Sequence, residues 1–247
     1  MTRTAIALVA ALALAPASSW AQGQPDAEAK FNMGLSHLRE NRPALALEQF
    51  RQAIKQDPKN PYFHKGLGLA LLQLQKYDEA VVALRKSLEL NPYYVDVRND
   101  LGTALLLGGH RAEGKAELLR AYNEPTNPTP DMTARNLGQA YLTEKDYDQA
   151  ANWFRSSLGR NKGLADSYLG LADCQLAINR NDEAIATLEG GLKELPDNLG
   201  LILALGNAYF RAGRFTEARA KLEEVARRDA RGPAGKSAGE LLKNLPK

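Results

Sequence analysis

The 247-residue sequence has few of the residues from which catalytic and metal sites are usually built. It contains one cysteine, Cys174, so neither an internal disulfide nor a cysteine-based metal site can form. Its three histidines occur in no HExxH or Cys–His spacing, and we predict no catalytic residue, no metal site and no cofactor. Lys and Arg number 32 against 29 Asp and Glu, a balance too even to indicate a nucleic-acid-binding surface. These shortages favour a function based on binding.

The sequence also lacks an apolar run long enough to span a bilayer. Residues 5–15 are rich in Ala and Leu, but a spanning helix needs about 20 residues. Arg3 precedes this run, and residues 19–21 place small side chains on both sides of Trp20, as at a leader-peptide cleavage site. We therefore predict a signal peptide over residues 1–21, cleaved after about Ala21, and a periplasmic or secreted mature protein. The alternative is a buried N-terminal helix.

Small residues recur through the rest of the sequence at a nearly constant interval. The interval is 34 residues, except for one of 36 between the third and fourth units. A second small residue follows 12 positions later, and a large apolar residue comes four positions after that. Within each unit apolar residues recur at i, i+3, i+4 and i+7, which predicts helices with one buried face. The first small residues are Gly34, Gly68, Gly102, Gly138, Ala172 and Gly206, and the large residues are Phe50, Leu84, Leu118, Phe154, Leu188 and Leu222.

These residues resemble the tetratricopeptide repeat, and the resemblance covers about residues 27–232. It implies an all-α fold, a right-handed α-solenoid of six helical hairpins closed by a C-terminal capping helix. Units one to three are expected at residues 27–128, units four to six at 131–232, and the cap, which covers the open apolar end, at 233–247. Three prolines between the halves predict a stiff, exposed elbow at residues 124–130. Its last two residues, 129–130, separate the two sets of units. The alternative is a longer turn with no change of course.

The resemblance also implies a binding surface. The first helices of such units line a long concave side, which suits a peptide or helix better than an enclosed small molecule. Carried over position by position, the groove would be lined by Phe31, Leu35, Leu38, Tyr62, Lys65, Leu69, Leu72, Asn99, Thr103, Leu106, Arg135, Gln139, Asp173, Asn207 and Phe210. The first two units supply the most apolar part, which would mark a contact site. Alternatively, these leucines pack against neighbouring units. The Lys and Asn pattern of a carboxylate clamp is absent, which disfavours a receptor for chaperone tails.

A narrower resemblance concerns the pilotin-type proteins of type IV pilus biogenesis. It rests on the leader, six units, the Pro-rich insertion, a short terminal helix and most of all on residues 133–141. Those proteins assist assembly of an outer-membrane secretin pore. Most of them are lipoproteins, whereas no cysteine that could carry a lipid lies near this leader. The resemblance implies a non-catalytic adaptor outside the cytoplasm, with a protein or peptide partner in the cell envelope, no nucleic acid and no transmembrane span. The alternative is a self-associating scaffold whose groove is not in use. An enzyme is expected only if a partner domain supplies catalytic groups.

Overall fold

The structure is a computed structural model that describes residues 23–246. The predicted leader, residues 1–21, lies outside the described residues. Within them thirteen helices follow one another without a strand, which confirms the all-α prediction. None of these helices is long and apolar enough to cross a membrane. The helices are α1 (Gly23–Arg39), α2 (Pro43–Gln56), α3 (Pro61–Gln73), α4 (Tyr77–Leu90), α5 (Val95–Leu107), α6 (Arg111–Asn123), α7 (Pro130–Thr143), α8 (Tyr147–Arg160), α9 (Ala165–Ala177), α10 (Asn181–Glu194), α11 (Leu199–Arg211), α12 (Phe215–Arg228) and α13 (Pro233–Lys243).

Each of the six hairpin turns contains one residue in the left-handed region. In the second hairpin Gln75 has φ 58°, and its amide donates to the carbonyl of Leu72 at 3.0 Å. The next amide, that of Lys76, donates to the carbonyl of Leu71 at 2.9 Å. This pair of bonds satisfies carbonyls that the helix end leaves free. The six left-handed residues are Asn41, Gln75, Gly109, Lys145, Asn179 and Gly213, so the turn recurs with the period of the sequence repeat.

The small and large residues of the repeat meet inside each hairpin. A Cβ atom added to Gly68 on α3 would lie 2.6 Å from Cγ of Leu84 on α4. Leu84 is fully buried, as are its counterparts in the other units. The glycine therefore lets the two helices approach closely enough for the large residue to fill the space between them. This contact is the physical basis of the six-hairpin solenoid predicted from the sequence.

Two units hold a phenylalanine instead of a leucine at this position, and each requires a second glycine in the following unit. Phe50 lies against Gly34 and also against Gly66, where an added Cβ would be 2.6 Å from Cε1. Phe154 lies against Gly170 in the same way, with an added Cβ 2.3 Å from Cζ. After units in which the large residue is leucine, the position of this second glycine holds a residue with a side chain. These residues are Asp100, Asn136 and Ala204. The larger ring therefore occupies the volume that a side chain takes elsewhere.

The Pro-rich segment between units three and four connects α6 and α7 through residues 124–129, and the two helices pack against each other. That this segment is an elbow stays a prediction. Asn127 organises this turn through its side chain. Its Nδ2 donates to the carbonyl of Ala121 at 2.8 Å, and its Oδ1 accepts from the amide of Thr129 at 2.8 Å. On the adjoining surface the rings of Tyr122 and Trp153 meet edge to face at 5.0 Å between centroids. The two inserted residues thus lengthen the connection without separating the helices that it joins.

Helix α13 packs on α11 and α12 and covers the last hairpin. Its buried residue Ala238 joins the cluster that contains Leu222 and Val225, and Leu245 closes the same cluster beyond the helix. The carboxylate of Asp229 accepts the amides of Ala234 and Gly235 at 2.9 and 3.2 Å, satisfying donors of the first turn. The predicted capping helix is therefore present, and it begins at Pro233.

Candidate partner-binding groove

The contacts between helices identify the inner side of the solenoid. Each odd-numbered helix from α1 to α9 has Cα atoms within 8 Å of the next odd-numbered helix, whereas no two even-numbered helices come that close in residues 23–246 and they meet only through long side chains, as Tyr122 meets Trp153. Helices on the inside of a curved stack lie closer together than those on the outside. The first helix of every unit therefore lines the concave face, where the sequence analysis places the groove.

In unit one the predicted groove residues are largely used for packing. The ring of Phe31 lies 5.7 Å from that of Phe50 and 5.2 Å from that of Phe63, between centroids. Leu35 and Leu38 pack against the same buried cluster around Phe50. Part of the apolar lining predicted for the first two units is therefore internal to the stack, because these side chains fill the space between helices.

In unit two the groove becomes polar and aromatic. Tyr62 is half-exposed, and its ring meets that of Tyr94 edge to face at 5.1 Å. Lys65 forms an ion pair with Asp96 of the next unit, and its Nζ lies 5.1 Å from the centroid of the Tyr94 ring. Two further predicted residues, Leu69 and Leu72, are partly buried, and Leu72 packs against the core cluster between α3 and α5.

Asp100, a charged residue that the groove prediction did not include, lies beside this ion pair. Burial raises its pKa to about 6, Asp96 adds to the increase, and Lys65 opposes it. Asp100 occupies the position that glycine takes in units two and five, so no repeat signal marked it as polar lining. The pair of carboxylates around one lysine makes this part of the groove acidic at neutral pH.

Units three and four are joined across the groove by amide and hydroxyl side chains. Asn136 on α7 donates through Nδ2 to Oδ1 of Asn99 at 3.2 Å and to Oγ1 of Thr103 at 3.4 Å. Its Oδ1 accepts from Nη2 of Arg135 at 3.1 Å. The structure therefore brings three predicted groove residues, Asn99, Thr103 and Arg135, together around one residue that the groove prediction did not include.

The junction of units four and five carries the next ion pair. Nη1 of Arg135 donates to Oδ2 of Asp166 at 2.7 Å, while its Nε is buried without a hydrogen-bond partner among the described residues. Asp173 lies further along α9. Partial burial raises the pKa of its carboxyl group, and Arg211 opposes that increase. Because Asp166 forms the ion pair with Arg135, Asp173 is a second acid at this junction, with Arg211 as the cation that acts on it.

Two cavities open on this middle part of the groove. The first, of about 250 Å³, lies between units three and four and is lined mainly by Leu106, Leu107 and Ala140. The second, of about 300 Å³, lies between units four and five, with Arg135, Asp166 and Asp173 on its walls. Its remaining lining includes Phe154, Leu169 and Gly170. Both cavities share Asn136 and Gln139, so they lie on either side of α7 and adjoin each other.

At the C-terminal end the last two predicted residues, Asn207 and Phe210, are half-buried on α11. The ring of Phe210 lies 6.0 Å from that of Phe215 and packs against the core of units five and six.

Cys174 is buried, and burial raises the pKa of its thiol to about 11, which keeps it protonated and unreactive. No group of three or more metal-ligating side chains occurs among residues 26–246.

Two family models, both described as tetratricopeptide repeat, match residues 31–95 with 203–241 and residues 141–197. Together they cover more than half of the chain. The chain belongs to the tetratricopeptide repeat family.

A curated relative is the beta-barrel assembly-enhancing protease of Escherichia coli strain K12. It is 28% identical over 160 residues, which are 62% of this chain and 31% of the relative. The chain spans about a fifth to a third of the length of the first curated relatives that it matches.

Solved structures of similar length have the same fold. The crystal structure of PilW, described as a widely conserved type IV pilus biogenesis factor, has a TM-score of 0.76 and 18% identity, covering 85% of this chain and 97% of PilW. PilF of Pseudomonas aeruginosa has a TM-score of 0.71 and 20% identity, covering 89% of this chain and 99% of PilF. These similarities extend over nearly the whole solenoid, and at this level of identity they concern the fold.

Proposed function

We propose that this tetratricopeptide repeat protein is a non-catalytic adaptor that holds a segment of a partner protein along its concave groove. The observation that carries the proposal is the pair of adjoining cavities on the inner helices, in a family whose fold serves protein–protein interaction. Gln139 lies between the cavities with its side chain exposed, and Leu107 beside it is 54% exposed. Exposed apolar and amide groups in one concave surface suit an extended segment or a helix.

The adaptor would act outside the cytoplasm, in the assembly of a cell-envelope complex. Three observations support this part of the proposal: the leader predicted at residues 1–21, the resemblance to pilotin-type proteins, and the fold shared with PilW and PilF. In its sharpest form the partner belongs to the type IV pilus or its secretin.

A photo-crosslinking amino acid at position 139 tests the groove in cells. Val82 provides the matched control, because it is 68% exposed on α4, an outer helix. We expect crosslinks to an envelope protein from position 139 and none from position 82, with a secretin as the product if the pilus form is correct. Crosslinks from position 82 alone would show that the groove is not the binding surface. Crosslinks to cytoplasmic proteins alone would contradict the location.

One observation favours a second candidate, a self-associating scaffold. Met33 is 47% exposed, whereas its counterparts Leu101 and Leu205 are 4% and 2% exposed because a preceding unit covers them. Leu45 on α2 of the same unit is 50% exposed. A second copy of the chain could cover this apolar end. Light scattering over a dilution series distinguishes the candidates: a dimer that persists on dilution and is lost in Met33→Glu supports the scaffold, and a monomer at all concentrations contradicts it.

A further inference from the structure

The two adjoining cavities of the groove differ in chemistry. The cavity between units three and four has an apolar lining centred on Leu106 and Leu107, and Leu107 is more exposed than a large apolar side chain usually is. The polar residues of its lining are Thr103, Arg111, Asn136, Gln139 and Thr143. An apolar side chain that entered this cavity would cover the exposed part of Leu107.

The cavity between units four and five has the opposite character. Arg135 and Asp166 neutralise each other at 2.7 Å, so the charge that remains is that of Asp173. Asp173 has no ion pair among the described residues; the guanidinium of Arg211, which acts on its charge, donates to the carbonyl of Leu176 at 2.8 Å. Leu169 and the backbone of Gly170 supply an apolar wall beside the carboxylate. A lysine or arginine side chain fits such a cavity, with its stem on the wall and its charge at Asp173.

At the corresponding place between units one and two an aromatic ring takes the position of the arginine. Phe31 holds the position in unit one that Arg135 holds in unit four, and its ring fills the space above Phe50. Arg135 instead turns toward Asp166 and leaves the space over Phe154 and Gly170 open. The same repeat position thus contributes a packed side chain between units one and two and lines a cavity between units four and five.

We propose that the two cavities form one bipartite subsite for a partner segment that carries an apolar residue and a basic residue. The apolar side chain enters beside Leu107, the basic side chain reaches Asp173, and the exposed amide of Gln139 bonds to the main chain of the segment between them. The inference rests on the proposed function, because it names the chemistry of the segment that the groove holds.

Selection from a random peptide library displayed on phage tests the subsite with the purified chain. The selected peptides are expected to share a basic residue at a fixed distance from an apolar one. For a synthetic selected peptide, Asp173→Asn and Leu107→Ser should each weaken binding about tenfold. Matched controls are Asp182→Asn, an exposed acid on the outer helix α10, and Val82→Ser, which replaces an exposed apolar side chain on the outer helix α4. Both controls should leave binding unchanged, and circular dichroism should show all four variants folded.

The possible failures can be told apart. Peptides that bind with no shared basic residue and that tolerate Asp173→Asn and Leu107→Ser, but lose binding when Leu69→Asp alters the groove elsewhere, would overturn the bipartite subsite and leave the proposed function standing. Failure to select any peptide would count against a groove for peptides altogether, and the subsite would fall with it. Equal losses in the test and control variants would show a general effect of the substitutions and would also overturn the subsite.

Discussion

Replacing Gly170 by alanine tests whether the ring of Phe154 uses the space that a side chain would need. The added Cβ would lie 2.3 Å from Cζ of Phe154, well inside van der Waals contact. Phe154 is only 1% exposed, so its ring cannot move aside freely. Overpacking of this kind costs about 1–3 kcal/mol. Alanine regains about 1 kcal/mol of helix propensity over glycine. We therefore expect Gly170→Ala to lower the free energy of unfolding by up to about 2 kcal/mol.

The same substitution should behave differently once the ring is gone. In a Phe154→Leu background the large residue is the one that units two, three, five and six already hold, and Gly170→Ala should be neutral or stabilising. A double-mutant cycle measured by urea unfolding should give a coupling energy of about 2 kcal/mol. Gly190→Ala is the control, because a Cβ there meets nothing within 4 Å and should stabilise α10 by up to about 1 kcal/mol. An equal loss from Gly170→Ala in both backgrounds would refute the argument.

Three further predictions concern polar groups. Asp100→Asn should raise the free energy of unfolding by up to about 3 kcal/mol at pH 7 and have no effect below pH 4. The reason is that a pKa raised to about 6 in the folded state makes the acid cost stability as pH rises from about 4 to about 6. Urea unfolding at both pH values measures this. Tyr209→Phe removes the 2.6 Å hydrogen bond to Glu189 and should lower the free energy of unfolding by about 1 kcal/mol, measured by thermal unfolding. Asn127→Ala should speed hydrogen exchange at the start of α7 and cost about 1–2 kcal/mol, whereas Thr126→Ala on the exposed side of the turn should change neither.

Some local features could not be predicted from the repeat pattern. Gln75 and Lys145 adopt left-handed backbone at positions where other units have Asn or Gly, so residue type alone gave no signal there. Asp100 was missed because its repeat position is otherwise glycine, asparagine or alanine. Leu107 follows the last predicted groove position of its helix, and its exposure depends on how α5 and α7 are spaced.

The six-hairpin solenoid and its capping helix follow from the sequence by itself, because the small and large residues that must meet lie within one unit. Gly68 and Leu84 are 16 residues apart, and the regular repetition of such pairs needs only helix geometry to be understood. Which residues of the groove remain available was decided by the tertiary structure. Phe31 and Arg135 hold the same repeat position, yet Phe31 packs between helices whereas Arg135 lines a cavity. The difference arises because the placement of each side chain depends on its neighbours in the adjacent unit. The contacts that decide this, such as Phe31 with Phe63 and Arg135 with Asp166, join residues about one repeat apart, and periodicity does not specify them.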